Sequence, residues 1–251
     1  MKISFFEEFP NKESLSKLNL IDFPTKIFLA DYHIESFKLY EKEIMYKNKN
    51  IKELIWWPVI NVSEGYWLSP FSKRFALLRV FHSLLYENIS ILWDAELPKN
   101  RFLLFTQLFK FYKNKKLIKS FFKKYNGKIY TAEYSGISNK FLIMLFNGLC
   151  LFFNPKEYNN YVIKMFYSSM HNLSEIDMKN RISEGIKKYN DKFIVGLGVL
   201  SYGINKNEKL ITPELLERDL EICKNNNVSE VVIFRLGGLN KEYLKIMKKF
   251  L

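Results

Sequence analysis

Residues 89–98 read ISILWDAELP: an apolar run that closes on two carboxylates, Asp94 and Glu96, and is stopped by Leu97-Pro98. A short apolar or β-branched run ended by polar or turn residues is the pattern of a buried strand. Working outward from it, seven more runs follow the same rule: ISFF (3–6), KIFLA (26–30), LIWWPVI (54–60), KIYTAE (128–133), VIKMFYS (162–168), FIVGLGV (193–199) and VVIFRL (231–236). The central run itself spans SILWDA (90–95). Between the runs lie helix-length segments, the clearest being Ser36–Asn48, Ser72–Glu87, Arg101–Tyr125, Ser138–Leu149, Glu175–Tyr189 and Pro213–Asn225. Eight strands alternating with helices predict an α/β chain folded as a single (β/α)8 TIM barrel, one domain over residues 1–251. An open doubly wound sheet is the runner-up, but no glycine-rich turn follows its first strand.

The composition agrees with a large packed core. The chain has 251 residues, of which 48% are hydrophobic, with only 10 Gly and 7 Pro, which excludes disordered and collagen-like classes. Cys150 and Cys223 are too few for a disulfide framework or a four-cysteine zinc site. No apolar run reaches the roughly 18 residues of a membrane-spanning helix. The opening MKISFFEEFP places Glu7 and Glu8 where a signal peptide needs apolar residues, so a cytoplasmic location is expected. The net charge of +13 accompanies an abundance of Lys, Asn, Ile, Phe and Tyr, a joint bias that an A+T-rich genome produces without functional cause. The densest basic segment, KFYKNKKLIKSFFKK (110–124), reads first as a solvated helix face. Contact with nucleic acid or an anionic membrane is its weaker alternative.

In a parallel barrel the chemistry sits where strands run into the following loops. Those positions hold Glu7 or Glu8, Asp31, Asn61 and Glu64, Asp94 and Glu96, Glu133 and Tyr134, Tyr167, Tyr202 and Arg235. Residues two apart in a strand share a face, about 6.6 Å apart along it at roughly 3.3 Å per residue. Asp94 and Glu96 are therefore expected to face one space. Two close carboxylates do not both ionise freely, so one holds its proton and can serve as a general acid. That is the division of labour glycosidic cleavage uses. Binding of the pair to loop amides or a basic side chain is the plainer alternative.

Four segments in order then resemble the family 18 glycoside hydrolases, the chitinase-like barrels, over residues 89–240. ILWDAELP resembles that family's fourth-strand Asp-x-Asp-x-Glu ending, KMFYSS (164–169) its sixth-strand Met-x-Tyr-Asp, and FIVGLGVLSYG (193–203) its seventh strand. EVVIFRLGGLN (230–240) stands at its eighth. The resemblance implies that Glu96 protonates the leaving oxygen, that Asp94 orients a 2-acetamido group which attacks the anomeric carbon, and that Tyr167 hydrogen-bonds the same group. It implies a glycan ligand at the barrel mouth and no metal or organic cofactor. The sequence departs from the family at Leu92 and Ser168, where aspartates are usual, and at Phe234 or Arg235, where tryptophan is. A non-catalytic carbohydrate-binding barrel that has lost hydrolase activity is accordingly the alternative function.

The first half is read on its own. In NVSEGYWLSPFS (61–72), Tyr66, Trp67 and Phe71 either stack on sugar rings or pack inward to close the mouth. Glu8, Asp31, Glu64, Glu133, Tyr134, Tyr202 and Arg235 are candidate substrate contacts. His33, His82 and His171 lack helical zinc spacing. Gly237-Gly238 beside Arg235 is read as a tight turn, with an anionic ligand as the minor alternative.

Overall fold

Strands that are apolar on both faces suit a parallel sheet covered by helices, and that is where these eight runs go. The structure, a computed structural model, describes residues 1–137, 139–171 and 173–251. Among the described residues the strands are β1 (Lys2–Glu7), β2 (Thr25–Asp31), β3 (Ile51–Pro58), β4 (Ile91–Asp94), β5 (Ile129–Tyr134), β6 (Tyr161–Met165), β7 (Phe193–Gly198) and β8 (Glu230–Phe234). They are parallel and pair in chain order into a closed barrel. The helices are α1 (Lys12–Ser16), α2 (Ile34–Lys47), α3 (Arg74–Ser83), α4 (Leu103–Thr106), α5 (Leu108–Lys124), α6 (Lys140–Gly148), α7 (Pro155–Tyr158), α8 (Ser168–His171), α9 (Glu175–Tyr189), α10 (Pro213–Asn225) and α11 (Lys241–Lys248).

Three differences from expectation bear on the site. The segment Arg101–Tyr125 is two helices, because Gln107, buried at φ −100° and ψ 5°, breaks the run between α4 and α5. The helix expected from Ser138 begins at Lys140, and Ser138 itself lies outside the described residues. Strands β4, β6 and β8 all stop before their apolar runs do. Ala95 and Phe166 are buried in loops and Leu236 in a 3-10 turn, and apolarity alone does not distinguish these from a strand.

The chain forms two compact units. One comprises Met1–Ala30, Leu39–Ile55 and Ile163–Leu251. In it β1 pairs with β8 at Phe6↔Phe234, and β7 with β8 at Gly198↔Phe234. Gly198 has φ +154°, and a Cβ there would stand 2.6 Å from the Phe234 carbonyl oxygen, so only glycine lets these strand ends approach. Helix α10 starts on Thr212, whose hydroxyl accepts from the Leu215 amide, with Pro213 in the first turn where a missing amide costs nothing.

The other unit comprises Asp31–Lys38 and Trp56–Val162. Its packing is aromatic: Phe81 stacks on Phe121 at 4.3 Å, Phe122 on Phe153 at 4.1 Å, and Trp93 meets Phe122 edge-on at 5.2 Å. Trp56 turns to the helix side, against Phe37 of α2, and its indole N–H donates to the Asp31 carbonyl. Cys150 and Cys223 are both buried, and burial pushes the Cys150 thiol up to about 11, so it stays protonated.

Candidate functional site

Register decides which strand-end side chains face together in the second unit. Trp93 packs into the helix layer against Phe81 and Phe122, so by alternation Leu92 and Asp94 face the opposite side. The β4–β5 register pairs Trp93 with Thr131 and Asp94 with Ala132. Tyr134, two residues past Ala132, therefore shares the face of Asp94, and Glu133 shares that of Trp93.

The carboxylate pair is not a strand pair as expected. Strand β4 ends at Asp94, the Ala95 amide makes one more ladder bond to Ala132, and the Glu96 amide then donates back to the Asp94 carbonyl at 3.0 Å. This tight turn at Ala95 replaces the extended spacing. It delivers Glu96 to β5, where the Tyr134 hydroxyl donates to Glu96 Oε2 at 3.3 Å. Burial holds the Tyr134 phenol well above its ordinary range, and the negative charges of Glu96 and Asp94 push the same way against Arg101. Glu96, Asp94 and Arg101 thus all act on Tyr134. Sequence reading missed Arg101, although it stands only five residues beyond Glu96 on a segment without acids.

Other candidates in this unit are engaged in the fold. Glu133 is fully buried and turned to the Trp93 side, where its Oε1 accepts from the Phe153 amide (2.9 Å) and the Thr131 hydroxyl (3.0 Å). Strand alternation points it away from Asp94 and Tyr134. Glu64 takes a two-pronged ion pair from Arg79 at 3.2 and 2.7 Å and a bond from the Asn61 amide. The Arg79 guanidinium holds its carboxyl below the usual carboxylate range. Tyr66 and Trp67 are buried with their rings edge to face at 5.2 Å, and Phe71 packs on Phe111 at 4.9 Å, so the loop takes the inward-packed alternative. Gly65, at φ +146° with Ser72 Oγ 2.8 Å from any Cβ, makes that turn. Asp31 Oδ1 accepts from the His33 amide (3.1 Å) and the Ser36 hydroxyl (2.6 Å) at the start of α2. A groove of about 740 Å³ alongside α2 and α3 brings His33 and His82 together with Trp56, Phe75 and Arg79, a grouping the sequence spacing did not reveal.

The first unit holds a separate group of charges. Glu7, fully buried, is met by the Arg235 guanidinium at 2.6 Å and by the Gly237 and Phe9 amides at 2.7 and 2.9 Å. Arg235 also donates to the Tyr202 carbonyl at 2.9 Å and lies over the Phe9 ring. Gly237-Gly238 thus forms the tight turn expected of it, with its amide and the Arg235 guanidinium both bonded to Glu7. Glu8 accepts from the Ile204 amide at 3.1 Å, Tyr202 is half-exposed, and the Tyr167 ring stands 5.8 Å from that of Phe234. Ser168, which follows Tyr167, donates its hydroxyl to Asp219 of α10. Asp219 is fully buried and ion-paired to Arg218, and burial raises its pKa. It breaks the apolar face Leu216, Leu220, Cys223, a signal legible in the sequence. Among the described residues, no group of three or more His, Cys, Asp or Glu side chains is placed to hold a metal ion.

No family's sequence model matches this chain, and no curated protein matches it in sequence. Solved structures do resemble it. A class V chitinase from Pseudomonas fluorescens Pf-5 superposes with a TM-score of 0.60 at 9% identity, over 99% of each chain. The spore cortex-lytic enzyme SleL from Bacillus cereus gives 0.60 at 9% identity, over all of this chain and 74% of that one. The 3-keto-D-glucoside 4-epimerase YcjR from E. coli gives 0.54 at 10% identity, over 100% and 98%. Likeness at this level of identity establishes the barrel alone.

Proposed function

We propose that this chain is a glycoside hydrolase-like protein that takes an N-acetylated or related glycan at the carboxyl ends of its strands, with Glu96 as general acid. The observation that carries the reading is the hydrogen bond from Tyr134 to Glu96 Oε2 beside Asp94. A phenol with a raised pKa stays protonated across the physiological range, so it donates to the same oxygen at every pH of interest. Donation from Tyr134 holds the Glu96 carboxyl in place for proton transfer to a leaving oxygen. On the motif resemblance, Asp94 orients a 2-acetamido group whose carbonyl oxygen attacks the anomeric carbon. Chitinase and 3-keto-D-glucoside epimerase are both sugar enzymes by name, which supports a sugar ligand.

The test is turnover of fluorogenic N-acetylglucosamine oligomers by the protein and by Glu96→Gln. Cleavage abolished in a folded variant supports the assignment; unchanged cleavage overturns it. One observation favours a second reading, a barrel that binds glycans without cleaving them. The residue after Tyr167 is a serine committed to Asp219 rather than a carboxylate. Titration calorimetry that detects glycan binding in the absence of turnover distinguishes this reading.

A further inference from the structure

Helices α4, α5 and α6, all in the second unit, carry large apolar side chains that the fold does not cover. Phe105 is 75% exposed on α4, and Phe109 and Tyr112 are 94% and 76% exposed on α5. Positions 109, 112, 113 and 116 lie on one outer face of α5, because residues three, four and seven apart share a helix side. The inner face is Asn114, Ile118 and Phe122. Helix α6, KFLIMLFNG, is apolar almost throughout yet buries no residue fully, and Phe141, Met144 and Leu145 stand open. A helix this apolar is ordinarily buried on one side, and exposed apolar clusters mark an interaction surface.

Along the segment that carries α4 and α5 the charge has one sign, although Glu157 pairs with Lys123 near the end of α5. No Asp or Glu occurs between Glu96 and Glu133, whereas ten Lys and Arg do. Lys110, Lys113 and Lys116 alternate with Phe109 and Tyr112 along the outer side of α5. Phenylalanine, tyrosine and leucine interleaved with lysine is the pattern of a helix that lies in a membrane interface. We infer that α4–α6 form a docking surface for an anionic lipid leaflet. The apolar side chains enter the acyl boundary and the lysines engage phosphate headgroups. Nucleic acid satisfies the lysines but offers no medium for Leu108, Met144 and Leu145, all exposed. The lipid leaflet accommodates both. Among the described residues, no helix is long and apolar enough to cross a membrane. This inference does not depend on the glycan reading.

Flotation of the full chain with vesicles tests it. One set is phosphatidylcholine alone, the other phosphatidylcholine and phosphatidylglycerol in equal parts. The protein is expected to float with the mixed vesicles and not with the neutral ones. The Lys113→Gln and Lys116→Gln changes should each weaken binding roughly fivefold, and the Phe109→Ser/Tyr112→Ser pair about tenfold or more. All four side chains are exposed, so circular dichroism should show each variant folded. A Phe109→Trp reporter should shift its emission to shorter wavelength on mixed vesicles, which records entry into the apolar layer. The inference is overturned by no flotation, by equal flotation on both vesicle types, or by variants that bind as well as the parent. It is also overturned if the Trp emission stays fixed while single-stranded RNA binds more tightly than the mixed vesicles. Self-association at working concentration that disappears with Phe109→Ser, without flotation, overturns it in favour of a second copy.

Discussion

Two strand-end groups in this molecule begin from the same kind of sequence and end in opposite states. After β1 and β8, Glu7 meets the Arg235 guanidinium and two backbone amides, and both charged partners are withdrawn from solvent. After β4 and β5, Asp94 and Glu96 gather around the Tyr134 phenol, which stays a neutral donor. A buried carboxylate met by a cation contributes to structure, and removing its partner leaves an uncompensated charge. The Glu96 carboxylate accepts from that phenol, and the charge of Asp94 is felt by the same phenol. A charged residue at a barrel mouth is therefore not by itself a functional residue; its partner decides.

The largest effect expected from breaking this contrast is on turnover. Glu96→Gln should lower kcat for a glycan substrate by roughly 10²–10⁴-fold with no change in Tm, as loss of a general acid does. The converse change, Arg235→Ala, should leave Glu7 buried and unpaired and cost about 3 kcal/mol in urea unfolding. If it costs almost nothing, the closed character of the first group is wrong. Tyr134→Phe sharpens the other side. It should lower kcat about tenfold, because Glu96 loses the hydrogen bond that holds its carboxyl in place. The smallest effect concerns Glu64 and Arg79. The folded pKa of Glu64 is lowered, so the pair's contribution is complete above the unfolded value of about 4.3 and fades as pH falls through the folded one. Glu64→Gln should cost about 1 kcal/mol at neutral pH and remove that part of the acid destabilisation, measured by denaturation between neutral and acid buffers.

The strands were legible because apolar runs bounded by turn residues have few other uses. Their carboxyl ends were less so: β4, β6 and β8 stop early because the buried loops that follow are as apolar as the strands. Glu133 and Tyr134 are neighbours in sequence and candidates of equal rank, and strand alternation with the Trp93↔Thr131 register sends only Tyr134 to the face of Asp94. Asp219 was visible as a charge on an apolar helix face, but its partner Ser168 lies 51 residues away, beyond any local pattern. The grouping of His33 and His82 in one groove was likewise hidden by their separation along the chain.

By itself, the sequence determined the alternation of eight strands with helices, the carboxylate-rich ending of β4 and the run without acids from Leu97 to Ala132. All of these follow from hydrophobic period and residue type, which are local. Only the tertiary structure decided that Glu96 turns back to Tyr134, that Arg235 is spent on Glu7, and that the aromatics of α4–α6 stay uncovered. Each depends on which distant backbone a side chain is brought against, and neither period nor composition carries that information.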